Sequence, residues 1–275
     1  IGAGITIDGK SNVIIKRCNI TNFYYGIKLL NTNNVDVIEN NDLRENDFYG
    51  IYLYNATSTT ISDNNIINDN NGVYSISSTG TVINNNTINL QKKFYGIYLF
   101  NSESSTIENN TLWDNYHGVY LVNSSSTNVS YNNFTLSDVY SLFVHKSTTN
   151  SNFNDNRFSL AEEGIHVKSG SNNNYFRNNS VSDHTSYGIY LINSNNNQFV
   201  NNTVLNNSLN VFLNNASTST FNNNSVSNST NGINIIDSDS LTLYLNFVNS
   251  TNSPSLEING SDYCNLTNNT VANNL

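Results

Sequence analysis

Apolar and polar positions alternate in short bursts along this chain instead of recurring every three or four residues. The burst reads G-h-x-h, where h is apolar. It runs from GITI at Gly4 through GIYL at Gly50, Gly96 and Gly188 to SLEI at Ser255, in twelve copies spaced 22 to 24 residues apart. Alternation with a period of two marks a strand with one buried face. Ile27 and Leu29, Ile51 and Leu53, and Ile189 and Leu191 are the inward residues on this reading.

A second pattern, h-x-x-N-x-h, follows each burst after 14 or 15 residues. Its fourth position is Cys18, then Asn41, Asn64, Asn86, Asn110, Asn132, Asn156, Asn179, Asn202, Asn224, Asn246 and Asn269. Two patterns that keep one period over most of the chain define a repeat protein. A single unit of about 23 residues cannot bury its apolar face alone, so the units must stack. The expected fold is all-β: a single-stranded parallel β-helix of about twelve rungs, filling residues 1–275 as one domain. At about 4.8 Å per rung the rod is roughly 58 Å long. The Asn column is expected at a left-handed corner, with side chains hydrogen-bonded from rung to rung.

The two patterns resemble the right-handed parallel β-helix of the pectate-lyase-like superfamily, and within it the NosD-like repeats of bacterial and archaeal surface proteins. The resemblance spans the chain. It implies the right-handed winding, and it places any active site on an outer sheet face at mid-rod. The superfamily includes lyases, hydrolases, epimerases and proteins without catalysis. Its enzymes build a cleft from long loops, whereas here only 8 to 10 residues separate each ladder position from the next burst. The Asp-Asp pair and the G-H-G sequence of its polygalacturonases are missing. Copper delivery, associated with the NosD name, lacks its ligands, because there is no Met and His and Cys are sparse. No cofactor and no metal site are expected. Cys18 and Cys264 fall in the first and last rungs, too far apart for a disulfide, and read as small buried residues.

Composition sharpens this picture. Asn, Ser and Thr number 62, 36 and 24 of 275 residues, a mixture that opposes helix. A net charge of −9 argues against nucleic acid as a partner. No apolar run approaches the ~18 residues that cross a bilayer. The chain begins at Ile1 and has no Met, so a processed product or a fragment of a larger protein is expected. Seventeen N-x-S/T sequons occur, about the number this much Asn, Ser and Thr gives by chance. Asn85, Asn109, Asn178, Asn201, Asn223 and Asn268 each precede a ladder Asn, and Asn55, Asn123 and Asn215 follow bursts. All nine are outward-facing glycosylation candidates.

The middle outward position of the burst carries Tyr52, Tyr74, Tyr98, Tyr120, Phe143, His166 and Tyr190 in successive rungs from the third. Tyr25, Tyr49, Tyr95, His117, Tyr140 and Tyr187 stand just before the burst. A broad aromatic stripe on a soluble protein marks a contact surface, and tyrosine faces suit sugar rings. Tyr52, Tyr74, Tyr98, Tyr120, Phe143 and Tyr190 are therefore the binding candidates. Their expected partner is a polysaccharide or another copy of the rod, outside the cell or at its surface. Rungs six to nine add His117, His145, His166, Lys168 and Glu163, with Asp114, Asp138, Glu162 and Asp183 in adjoining turns. A carboxylate beside a His or Lys can abstract the proton next to a uronate carboxylate, the chemistry of lyases and epimerases. The leading expectation is a surface module for adhesion, glycan binding or filament assembly. A polysaccharide lyase, epimerase or hydrolase is the alternative, with these five residues as its candidates.

Overall fold

The structure is a computed structural model that describes residues 2–33, 36–91, 93–251 and 254–273. Every rung contributes one strand to each of three parallel sheets of twelve strands. The described residues contain no helix. The G-h-x-h bursts form the first sheet, with strands Tyr49–Ala56, Asn71–Ile76, Tyr95–Phe100, His117–Val122, Tyr140–His145, Glu163–Lys168 and Tyr187–Ile192 for rungs three to nine. Three-residue strands supply most of the other two sheets. Pairing in the first sheet keeps one register from rung to rung, as in Tyr52 to Tyr74 to Tyr98 to Tyr120 to Phe143 to His166 to Tyr190.

The core follows from the alternation. Away from the two terminal rungs, each long strand turns two residues inward, such as Ile97 and Leu99, and each short strand buries its middle one, such as Ile107 and Leu112. Like stacks on like. Phe153, Phe176, Phe199 and Phe221 form an internal ring ladder with 4.6 Å between successive centroids. This spacing is the hydrogen-bonding distance between adjacent strands.

The Asn column is buried and continuous from Asn41 to Asn246. Asn132 is representative. Its Nδ2 donates to the Ile107 and Ser130 carbonyls and to Asn156 Oδ1 at 2.9, 2.9 and 3.0 Å, and its Oδ1 accepts from the backbone N–H and Nδ2 of Asn110. One expectation is corrected. The ladder Asn is not the left-handed residue; the residue before it is, including Asn85, Asn109, Tyr131 and Asn201 at φ near +55°. The side chain inside the corner needs an ordinary backbone, while its neighbour turns the chain.

Each rung turns at several such corners. In rung five they are Asn101, Ser104, Asn109 and Asp114, all with positive φ. Asn and Asp tolerate this conformation better than most side chains, which explains much of the Asn content. Two further inner corner columns carry buried polar groups. One runs through Ser78, Ser102, Ser124 and Thr148, and the other through Asn46, Asp69, Gln91, Asn115 and His184. Ser78 N–H donates to Ser102 Oγ and Ser102 N–H to Ser124 Oγ, repeating the ladder logic with hydroxyls. Cys18 holds the ladder position in rung one; it and Cys264 are unpaired and only half-buried, because a terminal rung lacks one neighbour.

Candidate functional site

The outer face of the first sheet carries three aromatic columns side by side. The central one holds Tyr52, Tyr74, Tyr98, Tyr120 and Phe143, with centroid separations of 6.0, 4.5, 5.7 and 4.3 Å. Tyr25 and Tyr49 stack at 5.1 Å in the second column, where Tyr95, His117 and Tyr140 follow at 5.4 and 5.1 Å. Tyr24 and Phe48 start the third column, at the turn edge, with 5.0 Å between rings. The columns interlock: Tyr49 meets Tyr52 at 5.0 Å and Tyr95 meets Tyr120 edge-on at 4.9 Å. Such offset and edge contacts are the favoured aromatic geometries. Tyr52, Tyr74, Tyr98, Tyr120 and Tyr190 are partly exposed. Phe143 is not; at 2% exposure it lies beneath its neighbours and cannot present a ring to a partner.

Burial keeps these phenols protonated. It pushes Tyr120 up to about 12 and raises Tyr74, Tyr98, Tyr140 and Tyr190 as well. Glu163 adds to the effect at Tyr140 and Tyr190. The face therefore offers neutral hydroxyls at its rim and ring surfaces between them.

Rung eight is the polar centre of the sheet. Glu163 replaces the tyrosine of its column, and its Oε2 lies 2.6 Å from His166 Nδ1. Both side chains are buried. Tyr140 and Phe143 stand edge-on to the His166 ring at 5.3 and 4.9 Å, and Tyr190 lies tilted against it at 4.6 Å. His166 Nε2 is buried with no hydrogen-bond partner. Lys168 packs its ammonium 5.3 Å from the Phe143 centroid. His145 sits half-buried beside it, lowered to about 4 by burial and by the Lys168 and Lys146 charges. His117, two rungs below His166, is lowered to about 4 by burial and stacks between Tyr95 and Tyr140. The structure thus joins Glu163 to His166 and leaves His117 apart. His184 is inside the rod: its Nδ1 accepts the Ala161 N–H at a corner.

Along the turn edge of the same sheet, Asp114, Asp138, Glu162 and Asp183 line a shallow depression of about 360 Å³ with Leu136 and Leu160. Among the described residues no group of three or more His, Cys, Asp or Glu is arranged to hold a metal ion. The nine sequon asparagines are all exposed. Several already use the amide: Nδ2 of Asn55, Asn123, Asn215 and Asn223 donates to Oδ1 of Asn31, Asn101, Asn193 and Asn201 one rung below.

The sequence matches the family of right-handed β-helix regions over residues 1–104, 37–181 and 95–248, overlapping spans that reflect the repeat. The chain belongs to this family, which also fixes the hand of the winding. No curated protein sequence matches it significantly. Solved structures are similar at the level of fold. A double mutant of the periplasmic alginate epimerase AlgG superposes with a TM-score of 0.68 at 14% identity, covering 90% of this chain and 77% of that one. The A-module of the Azotobacter vinelandii mannuronan C-5 epimerase AlgE4 gives 0.67 at 13%, covering 98% and 88%. The Dettilon tailspike protein gives 0.60 at 13%, covering 89% and 61%.

Proposed function

We propose that this chain is a polysaccharide-binding rod of the extracellular or cell-surface type, whose ligand lies along the aromatic face of the first sheet. The observation that carries this reading is the set of ring columns, in register over rungs two to seven and partly open to solvent. A flat, long, aromatic surface suits a long partner and is a poor shape for a small cofactor, which needs a concave pocket. The similar folds named above, two epimerases of alginate and mannuronan and a tailspike, support a carbohydrate partner. The test is capture on immobilised polysaccharides, with light scattering beside it. The parent is expected to be retained, and a protein that self-associates without retention would make the face a contact between rods instead.

Polysaccharide processing is the second reading, favoured by the Glu163–His166 pair. Three features weigh against it. A base sealed under three rings cannot reach a substrate proton, and neutral tyrosines beside Glu163 are poor bases. The acidic turn edge would also repel a polyuronate. Turnover of alginate or pectate that disappears in the His145→Ala, His166→Ala double variant would establish this reading over the first.

A further inference from the structure

The aromatic face is also an unbroken net of phenols over rungs three to six. Tyr49, Tyr52, Tyr74, Tyr95, Tyr98 and Tyr120 are joined by contacts with ring centroids 4.5 to 6.0 Å apart. Nothing that oxidises more readily stands among them. The chain has no Met, Cys18 and Cys264 lie in the terminal rungs, and Trp113 belongs to the third sheet. Sulfur side chains are the usual targets of oxidants. An electron taken from this face therefore comes from a phenol, and the hole it leaves stays within the net.

Tyr74 and Tyr98 are the tightest pair of tyrosines among the described residues, with centroids 4.5 Å apart and planes 16° from parallel. They occupy one column on paired strands, so the two phenols leave the sheet side by side. A hydrogen bond from Tyr98 offsets part of the burial that raises the Tyr74 phenol. Hydroxyl thus lies beside hydroxyl, and the ring carbons ortho to them meet across the same gap. Both residues are partly exposed. Bonding between the rings requires one of them to slide from a stacked to an edge-to-edge pose. Tyr74 has room to do so. It borders a cleft of about 200 Å³ that opens where Asn71 stands in the column between Tyr49 and Tyr95.

We propose that Tyr74 and Tyr98 are a site of oxidative modification, coupled through their ortho carbons into a dityrosine that staples rung four to rung five. The oxidant is hydrogen peroxide acting through a haem peroxidase. Each phenol gives up one electron and its hydroxyl proton. The two phenoxyl radicals form one carbon–carbon bond, and the two ring hydrogens at that bond move to the oxygens and restore the phenols. One peroxide takes up the two electrons and two protons and leaves as two waters. The proposal is independent of what the face binds. Its test treats the full chain with hydrogen peroxide and a haem peroxidase, isolates the monomer and maps its tryptic peptides. Lys92 and Lys93 lie between the two tyrosines, so cleavage parts residues 45–92 from 94–146 unless a cross-link holds them. The expected result is a linked pair lighter by two hydrogens than its parts, assigned by fragmentation to Tyr74 and Tyr98. Its yield should fall at least about tenfold in Tyr74→Phe and in Tyr98→Phe, which keep the rings and remove the hydroxyls. Oxidation of the parent unfolded in urea, where the rungs no longer stack, should lower it at least about fivefold. No linked peptides in the monomer, bonds only between separate rods, or an undiminished yield in either variant or in urea overturns the proposal.

Discussion

The column of Tyr25, Tyr49, Tyr95, Tyr140 and Tyr187 is interrupted by a non-aromatic residue at Asn71 and again at Glu163, and the two gaps are resolved in opposite ways. At rung eight, Glu163 finds a partner on its own strand, and the space closes over the pair. Asn71 finds only a backbone carbonyl at rung four; its Oδ1 stays buried and unpaired, and a cleft remains outside it between the neighbouring rings. One fold position therefore yields a sealed polar core or an open cleft, depending on what stands three residues along the strand: His166 in one case, Tyr74 in the other.

The largest effect that could break this contrast lies in binding. Replacing Tyr74, Tyr98 and Tyr120 together by Ser should reduce retention on polysaccharide at least about a hundredfold, since each buried ring is worth of the order of 1–3 kcal/mol. Glu163→Gln should leave retention unchanged, because the pair is covered. Equal losses in both variants would join the two regions into one site.

Stability separates the gaps next. Glu163→Ala leaves His166 Nδ1 buried without its partner and should cost about 1–3 kcal/mol, read as a fall in the denaturation midpoint. Asn71→Tyr should change stability by less than about 0.5 kcal/mol, as the Phe48 carbonyl still accepts the backbone N–H of residue 71 and ring contacts are regained. Asn132→Ala, in the ladder of the core, sets the scale at about 1–3 kcal/mol, because it orphans groups on both neighbouring rungs.

The smallest effect is a difference in pH dependence. The inner corner just before the cleft holds Asp69, which burial pushes up to about 8. Folded Asp69 keeps a proton that the unfolded chain releases near its ordinary carboxylate range. Its contribution is thus full below about pH 4 and is lost as pH rises through about 8. His184 occupies the same inner column after rung eight and is lowered to about 4, mainly by burial. Its contribution is full above about 6.5 and is lost as pH falls towards 4. Hydrogen exchange at alkaline pH should loosen rungs three to five first, and at acid pH rungs six to nine first, where His117, His145 and His184 lie. Asp69→Asn should flatten the alkaline limb alone.

Period and column were legible in the sequence because every rung repeats the same alternation; the register of Tyr52, Tyr74, Tyr98 and Tyr120 needed nothing more. Depth was not. Whether Phe143 or His166 is covered depends on side chains in the rungs above and below, and on how far Tyr140 and Tyr190 lean. His184 stands at a corner, where no alternation reveals which side a residue takes. The cleft at Asn71 escaped for a related reason. In an Asn-rich chain one more Asn draws no notice, and its meaning lies in the rings it displaces. Ser75 marks the same rung from within, buried where the neighbouring rungs carry Leu53 and Leu99.

The short corners have a mechanical consequence. The hydrogen bonds between rungs run along the rod, and among the described residues no long loop or crossing segment ties distant rungs together. Tension on one end therefore loads a single rung at a time, and the rod yields by peeling instead of by collective shear. Each rung released frees 22 to 24 residues of chain, or roughly 80 Å of extended length. A rod held by one end against flow would lengthen in even steps of that size, keeping the remaining rungs and their aromatic face intact.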